Sequence, residues 1–314
     1  MDALSDLLHV MRLKGAFFLE ARFTAPWCVL SGCPPSLCAP GEHIVFFHVV
    51  TAGRCRVRAN GGEPLELSAG DLLLMPHNDG HLLGSDLHLA PVDAGTLVRA
   101  APPGELMSLA HGGGGEETRL MCGYLSCDPV MGRPLLDGLP RVLRVPLGEG
   151  PAAQWLLGLV ERGAHENSAP GPGSRTVLAK LAELLFAEAM RRYLQLQPAP
   201  QLGWLAGLRD RHVGRALTLI HAQPMREWTV ETLAADTGAS RSVLTQRFSV
   251  LVGQAPMQYL KRWRLGLAAA ALKENRRPIA ALAGEYGYES EAGFCRAFKQ
   301  AFGTPPAAWR RRAA

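Results

Sequence analysis

The stretch Tyr286-Gly287-Tyr288-Glu289-Ser290-Glu291-Ala292-Gly293-Phe294-Cys295-Arg296-Ala297-Phe298-Lys299 decides the fold of the carboxy-terminal third, because its pattern occurs twice in the chain. Thr229-Val230-Glu231-Thr232-Leu233-Ala234 aligns with Pro278-Ile279-Ala280-Ala281-Leu282-Ala283 at an offset of 49, and Gly238 falls on Gly287. One extra residue in the second turn makes the offset 50, so that Ser240, Leu244, Phe248, Gly253 and Pro256 fall on Ser290, Phe294, Phe298, Gly303 and Pro306. Self-similarity at this period marks a repeated supersecondary unit. Each copy reads as helix, glycine turn, helix. Thr229 is placed to cap the first short helix. Ser240 and Ser290 are placed to cap the longer ones, accepting bonds from first-turn N–H groups that have no helical partner.

Leu244, Phe248 and Leu251 share one face of the first long helix, and Phe294, Phe298 and Phe302 share one face of the second. Ser242, Thr245 and Gln246 point elsewhere, as do Ala292, Gly293, Arg296 and Lys299. Between the copies, Pro256 to Leu272 predicts one amphipathic helix with Tyr259, Leu260, Trp263, Leu267 and Leu272 toward the core. Helix-turn-helix geometry sends the second helix of each copy into a major groove about 12 Å wide. A stiff connector would hold two such helices about one DNA turn, roughly 34 Å, apart.

Charge points the same way. Residues 1–200 carry 16 Lys+Arg against 20 Asp+Glu, a balance of −4, whereas residues 201–314 carry 17 against 8, a balance of +9. The basic part is the one suited to a polyanion. At 314 residues two domains are expected. With 47% hydrophobic and 19% charged residues, the chain does not have a disordered composition. Apolar runs such as Ile44 to Phe47 and Leu72 to Met75 are far shorter than the roughly 20 residues that cross a bilayer. The start, MDALSDLLHVMRLKG, lacks a secretory pattern, so a cytoplasmic protein without membrane contact is expected. Seven cysteines, an odd number, then read as reduced thiols.

The amino-terminal part is β-patterned. His43 to Val50 reads as a buried strand, and Arg54 to Arg58 alternates, with Cys55 and Val57 on one face and three arginines on the other. Asn60-Gly61-Gly62 is a hairpin turn. Leu72 to Met75, ended by Pro76, is another buried strand, and Arg119 to Leu125 is one more. Short strands with Gly and Pro turns predict a sandwich or barrel. A helix is predicted from Ser174 to about Leu196, with Val177, Leu181, Leu184, Leu185 and Ala189 as its apolar stripe, buried within the chain or forming a dimer seam. The resulting division is residues 1–150, a β sensor domain; 151–200, a helical linker and possible dimerisation region; and 201–314, an all-α domain with two helix-turn-helix units.

Residues from about 205 onward resemble the DNA-binding domain of the AraC family of transcription regulators. The match rests on Tyr286-Gly287-Tyr288 with Ser290, then Phe294, Arg296, Phe298, Lys299, Phe302, Gly303, Pro305 and Pro306. The resemblance implies base-reading positions at Ser242, Thr245 and Gln246 and at Ala292, Gly293 and Arg296. Ala292 and Gly293 are poor hydrogen-bonders, which leaves Arg296 as the main reader of the second half-site. Arg241, Arg247, Lys261, Arg262, Lys299 and Arg310 are expected on phosphates. The implied partners are double-stranded promoter DNA, a second copy of the chain, RNA polymerase if the protein activates, and an effector.

Gly70-Asp71-Leu72-Leu73-Leu74-Met75-Pro76 followed by His81 resembles the second motif of cupins, small jelly-roll barrels. Together with His43 to Gly53 it makes the first 150 residues look like the cupin-type sensor domain of one AraC subgroup. In such a barrel His48, His81 and Cys122 would face one interior, and imidazole with thiolate suits Zn²⁺. His77 is a candidate fourth donor. The alternative is hydrogen-bonded core histidines beside a buried apolar thiol. Cys28, Cys33 and Cys38 lie at five-residue intervals that match no standard zinc motif, on a segment able to bring one of them near Cys122. The rival function is a metal-dependent cupin enzyme with a helical interaction module. Phe46 stands about where a cupin enzyme carries its glutamate, which counts against that rival. The sequence therefore predicts a DNA-binding transcription regulator, not an enzyme, whose sensor half takes a small molecule, a metal or an oxidant.

Overall fold

The computed structural model describes residues 2–32, 42–101, 106–148, 154–158, 160, 173–196, 203–274 and 277–312. Cys33 and Cys38 lie outside the described residues. The chain forms two compact units. One comprises Leu13–Cys127 and Leu139–Leu196, the other Met1–Arg12, Asp128–Gly138 and Gln197–Ala314. The sequence-derived boundaries at 150 and 200 are therefore not those of the compact units: two short segments from the amino-terminal part pack with the helical unit.

The first unit is a sandwich of two sheets. Its strands are β1 (Lys14–Thr24), β2 (Cys28–Ser31), β3 (His43–Ala52), β4 (Arg54–Ala59), β5 (Leu65–Ser68), β6 (Asp71–Met75), β7 (His81–Gly84), β8 (Val92–Asp93), β9 (Met107–Gly112), β10 (Glu117–Cys127) and β11 (Leu143–Pro146). One sheet has the order β11-β6-β3-β10-β1-β9 and the other β5-β4-β7-β2-β8. The expected alternation holds on β4, where Cys55 and Val57 are buried and Arg54 and Arg56 exposed. Asn60 and Gly61 both take positive φ, as the tight turn between β4 and β5 requires.

The helix Ser174–Leu196 packs on β1, and Gly15 makes the approach possible. A Cβ at Gly15 would lie 2.6 Å from the Cβ of Ala182 and 2.8 Å from the Ala179 carbonyl oxygen. This contact sets the phase of the helix. Leu178, Leu181, Ala182, Leu185, Phe186, Ala189 and Met190 are buried, whereas Val177 and Leu184 face outward, 54% and 40% exposed. The predicted stripe was out of phase at those two positions, because the buried face is the one that meets Gly15.

In the second unit the duplicated segment forms Val230–Thr237 and Arg241–Val252, the connector Pro256–Glu274, and then Ile279–Glu285 and Glu291–Phe302. Thr229 caps its helix through the Thr232 N–H, and Ser240 and Ser290 accept from Val243 and Gly293. Leu244, Phe248, Phe294 and Phe298 are fully buried. Phe298 sits among Phe294, Phe302 and Trp309. On the connector, Leu265 is buried and Leu267 only half-buried, a small correction to the predicted face.

A buried polar chain ties the connector to the helices before it. The Trp204 indole N–H donates to the Tyr259 hydroxyl at 2.8 Å, and that hydroxyl donates to His221 Nε2 at 2.7 Å. His221 also stacks on Trp263 with ring centroids 4.0 Å apart. Burial pushes the His221 imidazole down to about 3, so it is neutral when folded. Its folded value lies below its unfolded one, so its stabilisation is present above about pH 6.5 and is lost as pH falls from there toward 3. Between pH 7 and 5 the loss expected from this residue alone is about 2 kcal/mol. His221→Gln should flatten that part of the pH dependence of urea unfolding. An unchanged profile would show that another group controls it.

Candidate nucleic-acid interface and buried thiol–imidazole cluster

On the first long helix, the caps aim the amino-terminal turn outward while Leu244 and Phe248 anchor the opposite side. Ser242 and Gln246 are exposed and Thr245 is half-buried. Val243 is 42% exposed on the same outward side, a position the sequence reading passed over although helical spacing places it next to Gln246. On the second long helix Ala292 and Arg296 are exposed and Gly293 is half-buried. Small side chains at 292 and 293 leave Arg296 as the long donor among the three expected base-reading positions.

The cations expected on phosphates divide into three groups. Lys261 and Lys299 are exposed and carry no ion pair among the described residues. Arg241 is exposed but pairs with Glu231 at 2.7 Å, and Arg247 pairs with Asp210, the residue that caps helix Arg211–Ala222. Arg262 and Arg310 are directed at protein carbonyls: Arg262 donates to Val130 O at 2.9 Å and Arg310 to Arg277 O at 2.6 Å. Both are half-buried. These bonds anchor both guanidiniums on protein carbonyls, each through one of its five N–H donors.

In the sandwich, β10 pairs with β3 so that Cys122 stands directly opposite His48. His81 comes from β7 in the other sheet. The three side chains meet in the interior, all buried, as the sequence predicted. His48 Nδ1 lies 2.9 Å from Cys122 Sγ, His48 Nε2 lies 2.8 Å from His81 Nε2, and His81 Nδ1 lies 3.1 Å from the Asp79 carbonyl oxygen. Burial raises the Cys122 thiol pKa and lowers both imidazoles, His81 to about 4. All three are therefore neutral near pH 7.

One proton arrangement satisfies every contact. The Cys122 S–H donates to His48 Nδ1, the His48 Nε2–H donates to His81 Nε2, and the His81 Nδ1–H donates to Asp79 O. The Asp79 carboxylate in turn is gripped by Arg141 at 2.9 and 3.0 Å. The result is a directed hydrogen-bond chain from a buried thiol to the main-chain carbonyl of Asp79, the residue whose side chain pairs with Arg141. Asp79, two residues before His81 in the turn, was not identified from the sequence.

This order does not fit zinc. His48 spends its two nitrogens on different partners at opposite edges of its ring, whereas a metal ion takes one nitrogen per imidazole and needs its donors to converge. Among the described residues no three His, Cys, Asp or Glu side chains are disposed to hold a metal. His77 lies apart, directed at Leu139 O at 3.2 Å. Burial raises the Cys28 thiol pKa, and that residue has no disulfide. Phe46, at about the position where a cupin enzyme carries its glutamate, is buried against the His48 ring with centroids 5.0 Å apart.

Comparison with known proteins covers both units. Residues 2–195 match the Cupin family model, and residues 233–312 match a helix-turn-helix domain. An AraC-like transcription regulator of Streptomyces antibioticus is 34% identical over 99% of both chains. The regulator AlkR of Acinetobacter baylyi is 28% identical over 99% of this chain and all of its own. Among solved structures, ToxT of Vibrio cholerae covers 96% of this chain and 98% of its own, at 9% identity and a TM-score of 0.38. No helix among the described residues is long and apolar enough to cross a membrane.

Proposed function

The chain belongs to the AraC-like transcription regulators, and on that premise we propose that it reads promoter DNA through two helix-turn-helix units, with Arg241–Val252 and Glu291–Phe302 as the groove helices. The observation that carries this reading is the matched construction of those helices: the same serine cap, the same buried aromatic or aliphatic anchor, and an outward first turn in each. Ser242, Thr245 and Gln246 read one half-site, and Arg296 reads the other. Lys261 and Lys299 take phosphates, joined by Arg241 and Arg247 when their carboxylate partners release them. As a homodimer the protein would present four such helices. A copy that activates would also meet RNA polymerase.

The test is selection of bound duplexes from a random pool by the full-length protein. Two short preferred blocks about one helical turn, roughly 10 base pairs, apart are expected. A pool that shows no enrichment after several rounds would remove the proposal.

The sensor half responds to its effector through the Cys122–His48–His81 chain. Peroxide oxidation of the Cys122 thiol to the sulfenic acid, with water as the leaving product, removes the S–H that His48 Nδ1 accepts and so breaks the first bond of the chain. Cys122→Ser should abolish the change in DNA affinity caused by hydrogen peroxide, with Cys55→Ser as the control. A peroxide response that survives Cys122→Ser would point to an organic effector held in the barrel. No catalysis is required for either role.

A further inference from the structure

The connector helix carries a stripe at four-residue steps, Arg262, Gly266, Ala270 and Glu274, which forms a single ridge along its surface. Each member meets a residue from one of the two short segments that complete the helical unit. Arg262 donates to Val130 O. Gly266 receives Met131, whose Cε and Sδ would stand only 2.2 and 2.4 Å from a Cβ built there. Arg12, at the end of helix Ala3–Met11, donates to Ala270 O at 3.4 Å and pairs with Glu274. Leu7, Pro134, Tyr259 and Trp263 form the apolar surround.

The bond at Val130 has a specific cause. In helix Pro129–Leu136 the carbonyl of Val130 would normally accept from the N–H four residues on, but that residue is Pro134, which has none. A half-buried carbonyl with no helical donor needs another partner, and Arg262 supplies it. The same burial pulls the Arg262 pKa down, consistent with a guanidinium kept from water.

We propose that Arg262 and Met131 are positioning residues for DNA recognition, seating helix Pro129–Leu136 on the connector so that the two groove helices are held at a fixed separation. This inference rests on the two-helix reading above. It assigns Arg262 to the spacing of the half-sites rather than to a phosphate, and it makes the segment that directly follows β10 a part of the DNA-binding machinery.

The experiment uses the full-length protein and two versions of the selected duplex, one with both blocks intact and one with the second block scrambled. Binding of each is measured across a salt series. For the wild-type protein the second block should add about tenfold or more, the worth of one good base contact. Arg262→Met and Met131→Ala should each reduce that advantage to less than about threefold. If Arg262 contacts a phosphate instead, Arg262→Met will lower the slope by about one and keep the advantage of the second block, which overturns the proposal. Unchanged advantage and slope in both variants overturns it as well. Should Arg262→Met fold poorly, adding Pro134→Ala restores the missing N–H to Val130 O, and this double variant must still lose the second-block advantage. A wild-type protein that distinguishes neither duplex from random DNA would instead defeat the two-helix reading itself.

Discussion

Raising salt from about 50 to about 200 mM is expected to weaken binding of the full-length protein to its selected duplex at least about tenfold. The size follows from counting cations that are free to release counterions. Each phosphate neutralised contributes about 0.9 to the slope of log K against log[salt], so Lys261 and Lys299 alone give about tenfold over a fourfold change in salt. If Arg241 and Arg247 exchange Glu231 and Asp210 for phosphate, four contacts give roughly a hundredfold. Those two arginines start from ion pairs, and replacing one anionic partner with another yields less than a fresh contact would. The measured slope therefore reports how many of the pairs open. Equilibrium binding by fluorescence anisotropy across a salt series measures it, and a flat response would contradict recognition through phosphates altogether.

The second large effect is at Arg296. Among the three expected base-reading positions of Glu291–Phe302 it is the long donor, because Ala292 and Gly293 cannot reach a base edge with a donor. A guanidinium forking onto guanine O6 and N7 discriminates by roughly 1 to 3 kcal/mol, so Arg296→Ala should weaken binding to the selected duplex by about tenfold to a hundredfold. Binding to unrelated DNA should fall much less. The preference should relax at one G·C pair in the second block and nowhere in the first. Equal weakening on every sequence would move Arg296 to the phosphates. The structure leaves Arg296 no intramolecular partner among the described residues, so neither fold nor stability should change with it.

What was legible in the sequence was whatever local chemistry determines. The serine caps, the glycine turns and the phenylalanine anchors sit at spacings dictated by helix geometry, and they appear where the duplication placed them. The meeting of His48, Cys122 and His81 was also legible, since strand alternation fixes which side of a sheet a residue faces. The order of the hydrogen bonds was not. It depends on ring orientation, and a donor set that reads as a metal site from its residue types becomes a chain once His48 divides its two nitrogens.

Tertiary partners account for the rest. The phase of the helix Ser174–Leu196 on the sheet depends on Gly15, about 160 residues earlier in the chain, so periodicity alone does not tell that Val177 and Leu184 stay exposed while Leu181, Leu185 and Ala189 are buried. Arg262 looked like a phosphate contact because it is a cation on a basic helix. In the structure it also donates to a carbonyl that a proline deprives of its helical donor, in a segment that the sequence assigns to the other domain. No pattern within either segment signals that pairing, although Pro134 inside a helix announces that some carbonyl lacks its usual donor.

The central claim is that two helices of one chain enter successive major grooves on one side of the duplex. Methylation interference with dimethyl sulfate, which marks guanine N7 in the major groove and adenine N3 in the minor groove, tests this directly on the selected duplex with the full-length protein. The account predicts two interference segments centred about 10 base pairs apart and both in the major groove, with the second lost in Arg296→Ala. A single segment unaffected by Arg296→Ala, or interference confined to the minor groove, would contradict it.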